Sequence, residues 1–145
     1  MITLATMTTK HLDRVHEIES HSFSDPWPLE EILWEINNPD SICLVALKND
    51  IVTGYVTMRH LVDEGHISSI AVHEDYRKNG VGSVLMDGLA SIAKSHDMVA
   101  LTLEVRIGNR AAMGLYHKHG FKVEGYRRGY YSYPTEDAAI MWKYL

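Results

Sequence analysis

Arg77, Lys78 and Asn79 stand between the apolar triplet Ile70-Ala71-Val72 and the segment Gly80-Val81-Gly82-Ser83, where a helical period begins. The first turn of a helix carries unpaired N–H groups and a partial positive charge, and glycines let a phosphate approach the backbone closely. Arg77 and Lys78 add charge of the same sign, so the segment reads as an anion site, against the plainer alternative of a glycine-containing surface turn. Two nucleotide motifs fail by position. A P-loop requires Lys and then Ser or Thr after its last glycine, where Ser83 and Val84 stand, and a dinucleotide fingerprint requires a third glycine at Leu85. The single cysteine, Cys43, sits in the apolar run Ile42-Cys43-Leu44-Val45-Ala46-Leu47 and reads as a core thiol with no adjacent base. None of the nine histidines has H-E-x-x-H or Cys/His spacing, and no metal is expected. A net charge of −5 argues against broad nucleic-acid binding and suits a basic peptide partner.

These residues need a framework to bring them together. Residues 2–7 read as a short strand, and Thr8-Thr9 followed by Leu12, Val15 and Ile18 as a capped helix. Ser24-Asp25-Pro26-Trp27-Pro28 breaks that helix, and a second one with the face Leu29, Ile32, Leu33 and Ile36 ends near Asn37-Asn38-Pro39. Residues 41–48 and 51–60, joined by Asn49-Asp50, read as antiparallel strands, with a third over 65–72. Val81, Val84, Leu85, Leu89, Ile92 and Ala93 mark the main helix. A strand over 99–105, a helix over 109–119 stopped by Gly120, and closing strands over 121–131 and 138–145 complete the chain. The expected fold is α/β (α+β), a mixed central sheet of about seven strands with about four helices in the order β-α-α-β-β-β-α-β-α-β-β, forming one domain over residues 1–145. No apolar run approaches the roughly 20 residues that span a bilayer, so no membrane partner is expected. The first residues lack the charged start and long apolar stretch of a secretory leader, and the expected location is cytoplasmic.

Arg77-x-x-Gly80-x-Gly82 after an apolar strand resembles the Arg/Gln-x-x-Gly-x-Gly/Ala signature of the GCN5-related N-acetyltransferase (GNAT) family. Asn109, Ala112, Leu115, Tyr116, Gly120 and Phe121 resemble that family's later pattern N-x-x-A-x-x-L-Y-x-x-x-G-F. The resemblance implies acetyl-CoA as acetyl donor. Backbone amides of Lys78, Asn79, Gly80, Val81, Gly82 and Ser83 would wrap its pyrophosphate, while Ile70, Ala71 and Val72 pair with its pantetheine arm. It further implies that the strand over 67–72 splays from the strand over 99–105, that the thioester lies in the gap, and that the Val72 N–H faces the oxyanion. Asn109 would hydrogen-bond the pantetheine, with helix capping as its alternative. An α-amine is mostly protonated at neutral pH and needs a base. Glu104 interrupts an apolar strand, and desolvation is expected to raise its pKa toward the working range, the alternative being a structural ion pair with Arg106 or Arg110. Tyr116 would protonate the departing thiolate, or else serve as aromatic packing. Direct transfer is favoured over an acetyl-cysteine at Cys43.

The acceptor depends on other segments. Arg127-Arg128-Gly129-Tyr130-Tyr131 followed by Glu136-Asp137-Ala138 resembles the corresponding segment of the family's N-terminal acetyltransferases. This implies a protein N-terminus as acceptor, specifically the N-terminal alanine of small-subunit ribosomal protein number eighteen, a basic partner. Tyr130 and Tyr131 would line a slot for the extended peptide, unless they are strand-packing residues. Glu19, Glu35 and Asp63 would attract a basic tail, unless they are ordinary surface acids. Broader N-terminal, lysine or small-amine acetylation, and a non-catalytic coenzyme A-binding module, are the competing readings.

Overall fold

Strands that carry apolar residues on both faces need a covering layer on each side. β2 (Ser41–Lys48) is such a strand: Leu44 and Ala46 enter one core, Cys43 and Val45 another. In the computed structural model, which describes residues 1–145, β2 pairs with β1 (Thr3–Thr6) and β3 (Ile51–Leu61). β4 (Glu64–Val72), β5 (Ala100–Arg106), β6 (Lys122–Tyr131) and β7 (Glu136–Tyr144) extend one seven-stranded sheet in the order β1-β2-β3-β4-β5-β7-β6. Every neighbouring pair is antiparallel except β4 and β5, which run parallel.

α1 (Leu12–Ser22) and α2 (Leu29–Asn37) cover one face, placing Val15, Ile18 and Ile32 against Cys43, Val45 and Tyr55. α3 (Val81–Ser95) and α4 (Arg110–Lys118) cover the other, where Leu85, Met86 and Leu89 of α3 and Tyr116 of α4 join Leu44, Val56, Leu101, Leu103 and Met141. The element order and the mixed sheet are those expected from the sequence. No helix is long and apolar enough to cross a membrane.

The three acids expected to face a basic tail behave otherwise. Glu19 and Glu35 are buried, at 3% and 2% exposure. Glu19 accepts hydrogen bonds from the hydroxyls of Tyr55 and Ser69 and from the Trp27 N–H. Glu35 accepts from the Arg59 guanidinium and from Ser41 Oγ at 2.6 Å. A buried carboxylate with its lone pairs committed in this way fastens helices to the sheet and attracts nothing in solvent. Asp63 is exposed, but it lies beside the end where β4 and β5 are paired, where its carbonyl accepts the Val99 N–H.

Candidate active site

β4 and β5 share only three rungs, Glu64↔Ala100, Gly65↔Leu101 and His66↔Thr102. The separation beyond His66 has a local cause. Against β3, the register of β4 passes from Met58↔Ile67 to Thr57↔Ser69 and leaves Ser68 as an extra residue. A bulge bends and twists its strand. The two strands then diverge around a cleft of about 560 Å³, lined by Ile67 to Ile70 on one side and Leu103 to Arg106 on the other. This is the splay that the family resemblance implies.

The backbone of β4 presents unpaired groups to this wedge. His73 N–H donates to Thr53 O at 2.8 Å, and Gly54 opposes Val72 in the next rung. Antiparallel ladders alternate, so Val72 and Ile70 direct their N–H and C=O groups away from β3 and toward the gap, while Ala71 faces β3. Arg77 Nε donates to Val72 O at 3.1 Å, which holds the loop against the strand and leaves the outer guanidinium nitrogens free. Asn79 Nδ2 donates to Arg77 O at 3.0 Å. Lys78 and Gly80 take left-handed φ values of 63° and 81°, turning the chain sharply into α3. The first intrahelical bond is Val84 N–H to Gly80 O, so the amides of Val81, Gly82 and Ser83 have no partner in the helix. A Cβ at position 80 would meet nothing within 4 Å, so the surface beside these amides is open. Unpaired strand amides, followed by a helix entrance flanked by Arg77 and Lys78, fit an extended amide-bearing chain ending in phosphates.

Glu104 lines the opposite wall. Its Oε2 lies 2.7 Å from His66 Nε2, and its Oε1 lies 4.0 Å from Arg127 Nη2. The hydrogen bond from His66 holds the Glu104 carboxyl below the usual carboxylate range, outweighing the upward push of burial. This corrects the expectation of a raised pKa: desolvation acts as foreseen, but a partner on β4 overrides it. Neither arginine offered as an alternative partner pairs with Glu104: Arg106 pairs with Glu136, and the arginine beside Glu104 is Arg127. An ionised carboxylate only accepts, which assigns the shared proton to His66 Nε2.

Tyr116 is buried, its ring 5.9 Å from that of Phe121, and it lines the cleft. Burial pushes its phenol pKa upward, so the group stays protonated. Asn109 also lines the cleft, yet its Oδ1 accepts the Ala112 N–H at 3.1 Å and caps α4, leaving only its amide N–H groups for a ligand. Tyr130 and Tyr131 stand edge to face at 5.0 Å where the cleft widens, and burial pushes Tyr131 up to about 12. Cys43 is buried in the α1–α2 core, and its thiol is pushed up to about 12, chiefly by burial. It is therefore not a nucleophile.

Two polar partners escaped the sequence reading. His66 is one. The other is His119, whose Nε2 lies 3.0 Å from Ser83 Oγ and whose Nδ1 lies 3.1 Å from Asp87, bracing the first turn of α3 from the end of α4.

The sequence pattern of the Acetyltransferase (GNAT) family matches residues 12–121. The chain belongs to this family. Its donor is therefore acetyl-CoA, whose shape and charge the open strand and helix entrance fit. Among relatives, the chain is 36% identical over 137 residues to the putative ribosomal protein bS18-alanine N-acetyltransferase of Bacillus subtilis (strain 168), covering 94% of this chain and 91% of that protein. It is 32% identical over 146 residues to the ribosomal protein bS18-alanine N-acetyltransferase of Escherichia coli (strain K12), covering 97% and 96%. The crystal structure of the ribosomal-protein-S18-alanine N-acetyltransferase from Escherichia coli superposes with a TM-score of 0.93 at 28% identity, covering 100% of this chain and 94% of that one. Ard1 from Thermoplasma volcanium superposes equally well, with a TM-score of 0.93 at 28% identity and coverages of 99% and 97%.

Proposed function

We propose that this GNAT enzyme acetylates the N-terminal α-amine of a protein directly, and that its acceptor is the N-terminal alanine of ribosomal protein bS18. The observation that carries the reading is the β4–β5 wedge. Glu104, Tyr116 and the aromatic pair Tyr130–Tyr131 line it, and the strand that forms one wall runs on into the open amides at the start of α3. The likeness to bS18-alanine N-acetyltransferases over nearly the whole chain supports the choice of acceptor.

Acetyl-CoA supplies the activated acetyl thioester. The amides of Lys78, Asn79, Gly80, Val81, Gly82 and Ser83 hold its phosphates, assisted by Arg77, and Ile70 and Val72 hold its amide-bearing arm as an added strand, whereas Ala71, expected to share in that pairing, commits its backbone groups to β3. The Val72 N–H faces the oxygen that gains negative charge as the amine nitrogen bonds to the carbonyl carbon. Glu104, ionised and backed by His66, takes the proton from the ammonium. Tyr116 donates its phenolic proton to the sulfur as the carbon–sulfur bond breaks, and is reprotonated from solvent. Tyr130 and Tyr131 wall the slot of the first acceptor residue.

The test compares wild type with Glu104→Gln and Tyr116→Phe on an Ala-initiated peptide of the bS18 N-terminus, with mass spectrometry locating the acetyl group. Each substitution is expected to lower turnover by roughly 10²-fold, the scale of positioned acid–base catalysis. Acetylation of lysine or free polyamine in preference to the peptide would remove the acceptor assignment. Unchanged turnover in both variants would remove the catalytic one.

A further inference from the structure

Arg106 ends β5 two residues beyond Glu104, and its side chain is three-quarters buried, at 23% exposure. Its guanidinium donates four hydrogen bonds: from Nη1 to Pro134 O at 2.9 Å and Glu136 Oε1 at 3.1 Å, and from Nη2 to Ser132 O at 2.9 Å and Ser24 Oγ at 3.2 Å. The same group lies 4.5 Å from the centroid of the Tyr131 ring. One side chain thus holds the α1–α2 connection through Ser24 and the β6–β7 turn through Ser132 and Pro134, and braces half of the aromatic pair.

Neither loop is fixed by its own backbone. The β6–β7 ladder loses register between Arg127 and Tyr131 and resumes for a single rung, Tyr131↔Glu136, before the turn. Residues 23–28 have no regular structure, and no backbone hydrogen bond joins them to residues 132–135. Both segments nonetheless contribute walls to the wide end of the cleft, through Phe23, Ser24 and Trp27 on one side and Ser132 and Pro134 on the other. A planar fork of N–H donors can serve several acceptors in one plane while its face stacks on an aromatic ring, and a lysine ammonium cannot.

We infer that Arg106 is the specificity-determining positioning residue for the acceptor: by tying the two loops together and stacking on Tyr131, it sets the width of the slot that admits the acceptor's first residue. The inference rests on reading the wide end of the cleft as the acceptor site. Arg106 touches no reacting atom. It acts through the placement of Tyr131 and the two loops, so its loss affects acceptor binding and selectivity and spares the donor.

The experiment has a structural and a kinetic arm, using the full chain as wild type, Arg106→Lys and Ser24→Ala. Hydrogen–deuterium exchange is expected to quicken by about tenfold over residues 23–28 and 132–136 in Arg106→Lys, with the first turn of α3 unchanged. In Ser24→Ala, which removes one contact and leaves the fold intact, the rise is confined to residues 23–28. Kinetically, Arg106→Lys raises KM for an Ala-initiated peptide by about tenfold, leaves KM for acetyl-CoA within about twofold, and shrinks the preference for that peptide over its Leu-initiated counterpart by about fivefold or more. Unchanged exchange in both loops overturns the inference. So does a parallel rise of both KM values with the Ala/Leu preference intact, the pattern of general loosening. If wild type acetylates neither peptide, the acceptor reading falls, while the exchange arm still decides whether Arg106 ties the loops. If Arg106→Lys does not fold, the local exchange response of Ser24→Ala decides the point.

Discussion

Glu104 meets the cleft already engaged to His66 at 2.7 Å, and that engagement changes what the carboxylate contributes. A carboxyl held below its usual range is a weak proton acceptor, so its catalytic value depends on being aimed at the ammonium, and the bond from His66 fixes that aim. His66 is also one-third exposed and offers the proton a route to solvent. His66→Phe is therefore expected to lower kcat by about 10- to 100-fold, with KM for acetyl-CoA little changed. The acid limb of kcat/KM should move to higher pH, because Glu104 keeps its burial and loses the bond that holds its pKa down. His66→Gln retains an N–H donor and should restore the position of the limb more than the rate. Equal rates and superimposable pH profiles in all three proteins would take His66 out of the proton path. Glu104 was legible in the sequence because a charge inside an apolar strand stands out. His66 was not, since its value depends on which β5 residue it faces, 38 positions away. The burial of Glu19 and Glu35 is marked in the sequence: Glu19 lies four residues after Val15 and Glu35 three after Ile32, on the buried faces of their helices.

At the scale of elements, the divergence of β4 from β5 and the seating of α3 must agree, because the wedge lies between the first and the helix entrance at the end of the second. Gly54 on β3 is where they meet. A Cβ there would stand 3.0 Å from Ala71 O, 3.0 Å from Val81 Cγ1 and 3.2 Å from Leu85 Cδ1, between the end of β4 and the first turns of α3. The carbonyl is backbone and cannot swing aside. Gly54→Ala is expected to cost about 1–3 kcal/mol of stability, as overpacking does. It should also weaken acetyl-CoA by several-fold, since α3 must lift from β4 and carry the amides of Val81, Gly82 and Ser83 with it. Chemical denaturation and calorimetric titration of acetyl-CoA read the two effects, and a stable variant with undiminished affinity would separate the helix position from the anion site. The order of elements was readable because each has its own hydrophobic period, and the turns carry Asn49-Asp50, Gly80 and Gly120. The splay of β4 from β5 was expected only through the family resemblance, and its extent, a pairing of three rungs, was not expected at all. A one-residue bulge at Ser68 leaves no mark in an apolar alternation that continues through Ile67 and Ile70.

Across the whole molecule, three tyrosines join the two helical layers to the cleft. Tyr55 comes from the α1–α2 core and hydrogen-bonds Glu19 of α1 and Ser69 of β4, whose residues line the gap. Tyr116 belongs to the α3–α4 core, and Tyr131 lines the cleft beside Arg106, where the proposed acceptor would enter. Burial raises all three phenols above the ordinary value near 10, well above it for Tyr55, where the charge of Glu19 adds to the effect, and to about 12 for Tyr131. The folded protein holds these protons more tightly than the unfolded chain, so the unfolded state binds fewer protons once pH passes about 10, and stability falls as pH rises. The contribution is complete below the unfolded value and is lost progressively through the folded ones. Cys43, whose thiol is raised in the same way, adds its own loss from about pH 9, so melting temperature should begin to fall there and drop more steeply above about pH 10. Tyr131→Phe should fall less steeply than wild type over the same interval, because phenylalanine has no proton to lose. Circular dichroism melts of the two proteins across that range provide the measurement. Matching slopes would mean that Tyr131 ionises as easily in the folded protein as in the unfolded chain, and so that the acceptor end of the cleft stands open to water.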